Sequence, residues 1–232
     1  MTLNILQLCA GKGSRFADFT ETPKPFIDVN GKQMFTYALD SLNIPEGTDV
    51  RYHLLFQEKH VSTYNPQYKD ATVYSINYYT DGAATSASHV IANNEYIDEQ
   101  WLIVDCDFVL NLDFNSFRNE TVDRSVILVE PSQWDKKSSY SCVDETMRVH
   151  GVAEKQPISK FRNTGQYHFE SGTIFMEAYN FFKNNDMTSE GEFYIAPLYN
   201  YIIQSGKTVK AFEVNKFNPI GTPKDYLGFI ND

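Results

Sequence analysis

Short apolar, β-branched runs recur along the first half of the chain at Leu3–Cys9, Arg51–Phe56, Val73–Tyr78, Trp101–Asp105 and Ser125–Val129. Runs of this length and composition predict strands. Between them, Met34–Leu42 and Thr85–Ile91 place apolar residues at helical spacing. The alternation predicts an α/β fold with a Rossmann-like, mostly parallel sheet. After Val129 the pattern changes to shorter alternating segments, Tyr140–Asp144, Val149–Glu154 and Thr164–Phe169, which predict an additional antiparallel β segment over the ligand cleft. Helical spacing returns at Thr173–Lys183 and Phe193–Gln204. Gln133–Ser139 and Lys155–Asn163 read as polar surface loops, and no repeat or linker interrupts the chain. Residues 1–232 are therefore expected to form a single domain.

Composition narrows the function classes. A 232-residue chain buries roughly 70% of its unfolded surface, enough for a sizeable core. Aromatic residues make up 15% of it, which excludes the low-hydrophobicity signature of disorder. The formal charge of −10 argues against sequence-independent binding to a nucleic-acid backbone. No apolar run reaches the ~18 residues that would span a bilayer; the best, Trp101–Leu110, carries Asp105 and Asp107 in its middle. Leu3–Ala10 has no basic segment before it and leads into a glycine-rich stretch, so it reads as a first strand, not a signal peptide. The cysteines, Cys9, Cys106 and Cys142, are odd in number and spaced for neither a disulfide framework nor a zinc site, which fits a reducing, cytoplasmic setting.

In open parallel sheets, ligands sit beyond the carboxyl ends of the strands, which directs attention to the residues after Leu8, Asn77 and Val104. The first of these segments is Ala10-Gly11-Lys12-Gly13-Ser14-Arg15-Phe16. Its two glycines let backbone N–H groups approach a phosphate, although an ordinary glycine turn fits the same residues. It is neither a Walker A motif nor G-x-G-x-x-G, because Phe16 stands where the third glycine belongs. Pro23-Lys24-Pro25 follows, and its prolines restrict the backbone on both sides of one lysine. Arg15 and Lys24 could converge on a polyphosphate. Asp105 and Asp107, two apart at a strand end, point to the same face and suit a hard cation; they also suit a turn cap. Asn77 could hydrogen-bond a base edge, while Thr80 or Asp81 could equally cap a helix.

These segments together resemble the sugar-1-phosphate nucleotidyltransferases (NDP-sugar pyrophosphorylases), of which the chain looks like a small, single-domain member. The resemblance rests on Leu8–Phe16, Pro23-Lys24-Pro25-Phe26-Ile27, Val29–Met34, Thr80–Ala84, Asp105-Cys106-Asp107, Glu154-Lys155, Gly165–Phe169, Gly191–Tyr194 and Gly221–Tyr226, in that order. It implies transfer of NMP from an NTP to a phosphorylated small-molecule acceptor, with Mg²⁺ as cofactor and release of pyrophosphate. The site it implies has Ala10, Gly11, Gly13 and Ser14 around the triphosphate, Arg15 on the leaving pyrophosphate and Lys24 on the α-phosphoryl group. Asn77, Gly82 and Ala83 lie by the base, and Asp107 holds the metal with Asp105 beside it. Ser141, Glu154, Lys155 and Gly165 form the acceptor side, under the antiparallel segment. The resemblance is compatible with a homodimer. Two departures are visible: Ser141 replaces a glycine that many relatives place beside the sugar, and Pro219 stands where relatives carry a second metal-binding Asp. Hence a phosphorylated non-sugar acceptor, of the phosphocholine or phosphoamide kind used by cytidylyltransferases, and a non-catalytic nucleotide-binding regulator are the competing readings.

Overall fold

The structure, a computed structural model, describes residues 2–231. The first half runs β1 (Leu3–Cys9), a small hairpin of β2 (Asp28–Val29) and β3 (Lys32–Gln33), α1 (Met34–Asp40), β4 (Val50–Gln57), α2 (Glu58–Tyr64), β5 (Thr72–Ile76) and α3 (Ala83–Ile91). It continues through β6 (Gln100–Val104), β7 (Phe108–Leu110), α4 (Phe114–Glu120) and β8 (Ser125–Pro131). The second half adds β9 (Ser139–Val143), β10 (Val149–Glu154), β11 (Phe161–Phe169), α5 (Gly172–Asn184), α6 (Leu198–Gln204), β12 (Val209–Glu213), β13 (Phe217–Pro219) and α7 (Pro223–Asn231).

Among the described residues nine strands join in one sheet of order β10-β9-β11-β6-β1-β4-β5, with β8 also paired to β11 and β12 to β8, while β2 pairs with β3 and β7 with β13 in two small separate sheets. β6, β1, β4 and β5 are mutually parallel, and β11 joins β6 antiparallel. The predicted fold class is thus the observed one. Because the antiparallel strands extend the same sheet beyond β6, they wall the cleft from its side.

Burial on both faces explains why β1, β4 and β6 read as almost continuous apolar runs. Along β6, Trp101 and Ile103 enter the core shared with α3, α5 and α6, whereas Leu102 and Val104 enter the core on the opposite face with Phe35, Phe56 and Phe117. A third, smaller cluster joins Phe16 from the glycine-rich segment to Met34, Ile220 and Tyr226. It clamps the start of α7 against the loop after β1, and so sets Gly221 beside Arg15.

Boundaries moved where punctuation outweighed periodicity. The helix expected over Phe193–Gln204 begins at Leu198, with Pro197 as its cap, and the residues before it run as an irregular strap. The strand expected to include Asp105 ends at Val104, which leaves both aspartates in the connection to β7. α2, α4, α7 and β12 carry too little unbroken periodicity to be announced by the sequence.

Phe169 is fully buried, with its ring centroid 5.1 Å from Phe175 and 4.8 Å from Tyr199. Phe169→Ala should destabilise the domain by about 3–5 kcal/mol, read as a lowered urea midpoint with unchanged slope.

Candidate active site

The chain leaves β1 toward β4 but leaves β6 toward β8 on the opposite side of the sheet, so a crevice opens beyond the carboxyl ends of β1 and β6. β1 and β6 are in register, Gln7 opposite Val104, which sets the segment Ala10–Phe16 beside Asp105-Cys106-Asp107. Ser14–Phe16 forms a 3₁₀ turn anchored by the buried Phe16 ring. Lys24 opens a second 3₁₀ turn, between Pro23 and Pro25. Phe26, which closes that turn, stacks on Tyr64 at 4.3 Å and packs on Phe56 at 5.5 Å, and this anchor points the lysine into the crevice.

There Lys24 Nζ lies 2.6 Å from Asp107 Oδ2, both side chains being largely withdrawn from water, and the more exposed Arg15 guanidinium is 4.0 Å from the same oxygen. Burial works against both charges, but each partner outweighs it: Asp107 holds the Lys24 ammonium above the usual lysine value, and Lys24 holds the Asp107 carboxyl below the usual carboxylate value. Asp105 has no such partner. Burial, reinforced by the negative charge of Asp107, pushes its carboxyl up to about 7.

Two cavities of about 350 and 360 Å³ meet at this cluster and share Arg15, Lys24, Ala83, Asp105 and Asp107 as common wall. The first is lined by Ala10, Gly11, Gly13, Ser14 and Gly82. Gly82 has φ +137°, and a Cβ there would meet the Phe193 carbonyl oxygen at 2.4 Å. That closeness seats the strap: Phe193 N–H donates to the Asp81 carbonyl and Ala84 N–H to the Phe193 carbonyl. The second cavity is lined by Ser139, Glu154, Gly165, Arg162 and Tyr194 among others. Burial also pushes the Glu154 carboxyl up to about 7; Lys155 opposes the shift, while Asp105, Glu190 and Glu192 add to it.

Most of the expected residues therefore converge, and three stand apart. Asn77 is exposed just beyond β5 and lines neither cavity. Ser141 is fully buried, because β9 turns it toward β11, where its hydroxyl donates to Asn163 Oδ1 at 2.6 Å. It lies beneath the second cavity, which Asn163 itself lines. Lys155 does not line the cavity either: its ammonium is held by Glu190 and, at 2.8 Å, by the Tyr194 hydroxyl. Sequence reasoning missed Arg162, Lys137 and Ser86, all of which line one of the two cavities. Arg162 is braced by Glu130 and Asp135. None of these residues sits at a motif spacing, so only the tertiary fold brings them in.

No group of three or more His, Cys, Asp or Glu side chains is arranged to hold a metal among the described residues. Asp105 and Asp107 nonetheless fit a phosphate-bound Mg²⁺, which takes only one or two protein carboxylates. Pro219 lines the second cavity and supplies no carboxylate.

This combination, an α/β sheet whose phosphate-loop candidate and paired carboxylates meet between two cavities, defines a nucleotide-dependent transferase architecture. The family model described as Nucleotidyl transferase matches residues 5–232, and the chain belongs to that family. It is 22% identical over 233 residues to the bifunctional protein GlmU of Methanocaldococcus jannaschii, covering 97% of this chain and 53% of that protein. The chain thus spans about half the length of the curated relatives it matches. Among solved structures, a nucleoside-diphosphate-sugar pyrophosphorylase from Vibrio cholerae RC9 superposes with a TM-score of 0.83 at 22% identity, covering 100% of both chains. The inositol-1-phosphate CTP transferase of T. maritima gives 0.74 at 17% identity, covering 99% of this chain and 96% of that one.

A Cβ at Gly221 would stand 2.2 Å from Asp107 Oδ2. Gly221→Ala should therefore push the carboxylate off Lys24, and a displacement of about 1 Å costs roughly a hundredfold in turnover. Turnover kinetics alongside a thermal melt check this; a near-normal rate in a folded variant would mean that the carboxylate position is not critical.

Proposed function

We propose that the protein transfers a nucleotidyl group from an NTP to a phosphorylated polyhydroxy acceptor, of the sugar 1-phosphate class, and releases pyrophosphate. The observation that carries this reading is the shared wall: one cavity beside the glycine-rich segment, a second beside Glu154, and Lys24, Arg15 and the two aspartates between them. An acceptor phosphate entering from the second cavity would meet the α-phosphate of a nucleotide in the first, in line with the departing pyrophosphate. The attacking oxygen is already anionic, so no general base is required.

The difficulty of such a reaction is anion–anion repulsion, and positioned charge supplies the catalysis. In this assignment Ala10, Gly11, Gly13 and Ser14 surround the triphosphate, Arg15 neutralises the pyrophosphate and Lys24 stabilises the α-phosphoryl group. Gly82 and Ala83 face the base. Mg²⁺, held by Asp107 with Asp105 beside it, would supply Lewis-acid neutralisation of the phosphates. Glu154 accepts hydroxyl groups of the acceptor near Gly165, and Lys155, one contact behind Tyr194, exchanges Glu190 for the acceptor phosphate. Because Ser141 is buried below the cavity, its replacement of a glycine does not count against a sugar.

A screen of four NTPs against phosphorylated sugars, polyols, phosphocholine and phosphorylated amides, read by pyrophosphate release, tests the reaction and its acceptor. Turnover confined to the last two would replace the sugar reading. Pro219 favours one further outcome, a regulator that binds nucleotide without turning it over, which would show as NTP binding with no pyrophosphate from any pair.

Lys24→Ala should lower kcat by roughly a hundredfold or more, with a smaller effect on NTP affinity; a change confined to KM would remove Lys24 from the transition state. Lys155→Ala should raise the acceptor KM and leave NTP binding by titration almost unchanged. The Glu154 carboxyl titrates near 7, and its ionised form is the better hydroxyl acceptor. Acceptor kcat/KM should therefore rise as pH increases through about 7, and Glu154→Gln should flatten that limb. Since burial favours the protonated acid in the folded state, the same group makes the fold less stable as pH rises from the unfolded carboxyl value toward 7.

A further inference from the structure

Two glutamines that line neither cavity are buried behind the site, Gln7 in β1 and Gln57 at the end of β4, with relative exposures of 0% and 3%. A side-chain amide nitrogen carries two hydrogens, and in each of these residues it reaches two backbone carbonyls. Gln57 Nε2 donates to the Ala10 carbonyl at 2.8 Å and the Tyr78 carbonyl at 3.1 Å. Ala10 opens the glycine-rich segment, and Tyr78 lies in the loop leading to Gly82. Gln7 Nε2 donates to the Phe35 carbonyl at 3.0 Å and the Asp105 carbonyl at 3.3 Å. Phe35 lies in the first turn of α1, and Asp105 begins the turn that carries Asp107.

Each amide therefore ties together two segments that no strand ladder joins at that point. Gln57 spans the first cavity's two loops, and Gln7 fastens the aspartate turn to a helix. A buried amide is costly to place, and an aliphatic side chain would fill the same volume without that cost. What only the amide supplies is a fixed separation between carbonyls.

We propose that Gln57 and Gln7 are positioning residues with separate tasks: Gln57 sets the gap between the loops that receive phosphate and base, and Gln7 sets the place of the Asp105–Asp107 turn. The assignment of tasks rests on the nucleotidyl-transfer reading. The bracing of the loops does not.

Gln57→Met and Gln7→Met keep length and volume and delete the donors. In the full chain, hydrogen exchange read by mass spectrometry should rise at residues 10–16 and 77–82 in Gln57→Met, with the 105–107 turn as protected as before. Gln7→Met should show the converse. Titration with the NTP that the protein uses should find Gln57→Met weakened about tenfold, the loss expected for two hydrogen bonds, and Gln7→Met close to the parent. In turnover the pattern should reverse, with kcat falling roughly tenfold in Gln7→Met at little-changed NTP KM. If a methionine variant does not fold, Gln→Asn at the same position keeps a buried amide but shortens its reach by one methylene, so that it cannot hold both carbonyls. Equal exchange in both loops of both variants, or a lowered melting temperature with no split between affinity and turnover, would overturn the proposal. A parent protein that binds no NTP would overturn the nucleotidyl-transfer reading and the separate tasks, while the exchange pattern would still decide the bracing.

Discussion

A lysine and an aspartate 2.6 Å apart, both largely removed from water, set the terms for the rest of the site. Such a pair adds little net stability over a well-packed apolar pair, because desolvating two charges offsets most of their attraction, whereas losing one partner costs about 3–5 kcal/mol. The surrounding fold is consequently organised to keep them together. Pro23, Pro25 and the stack of Phe26 on Tyr64 hold the lysine; the parallel pairing of β1 with β6 holds the aspartate turn; and Gly221 leaves room for the carboxylate where any side chain would displace it.

The pair also leaves its surroundings electrostatically incomplete. Lys24 answers Asp107, and Arg15 at 4.0 Å adds to it, but Asp105 and Glu154 are left with carboxyls pushed up to about 7. The proposed polyphosphate would need cations, and the proposed divalent ion and acceptor hydroxyls would need carboxylates. Both sets are present in neighbouring walls, and the strap from Ser189 to Ala196 touches each: Phe193 packs on Gly82, while Tyr194 and Ala196 line the second cavity.

The parallel half of the fold was legible because strands buried on both faces produce β-branched runs that little else produces, and Leu3–Cys9 was bounded to the residue. Lys24, Asp107 and the glycine-rich segment were legible because proline, glycine and paired acids restrict backbone or charge within a few residues. Arg162 and Lys137 were not, since they approach the cavity only through the β9–β11 pairing and the loop before β9. Ser141 was legible as a motif position, but its side chain direction depends on the strand it pairs with. Phe193–Pro197 misled for a related reason: their apolar spacing suits a helix, yet the contact with Gly82 and the cap at Pro197 hold them out of one.

The placement of Lys155 follows from the same competition between local and tertiary demands. It has φ +55°, a left-handed conformation for a non-glycine residue, at the end of β10. Adjacent residues on a continuing strand point to opposite faces, and Glu154 faces the cavity. The reversal at Lys155 breaks that rule and turns its ammonium back toward Tyr194, whose hydroxyl it reaches at 2.8 Å and whose ring lies 4.8 Å away. Such a backbone costs roughly 1–3 kcal/mol, and Glu190, the residue that completes the contact, is 70% exposed on its side chain and so contributes little by itself. The strain is met by the Lys155 N–H, which donates to the Ser138 carbonyl at 3.0 Å, together with the contact to Tyr194 of the cavity wall. In the proposed reaction a lysine paired with an exposed acid, one side chain from the second cavity, could leave that acid for the acceptor phosphate, whereas Lys24, buried with Asp107, has no comparable freedom.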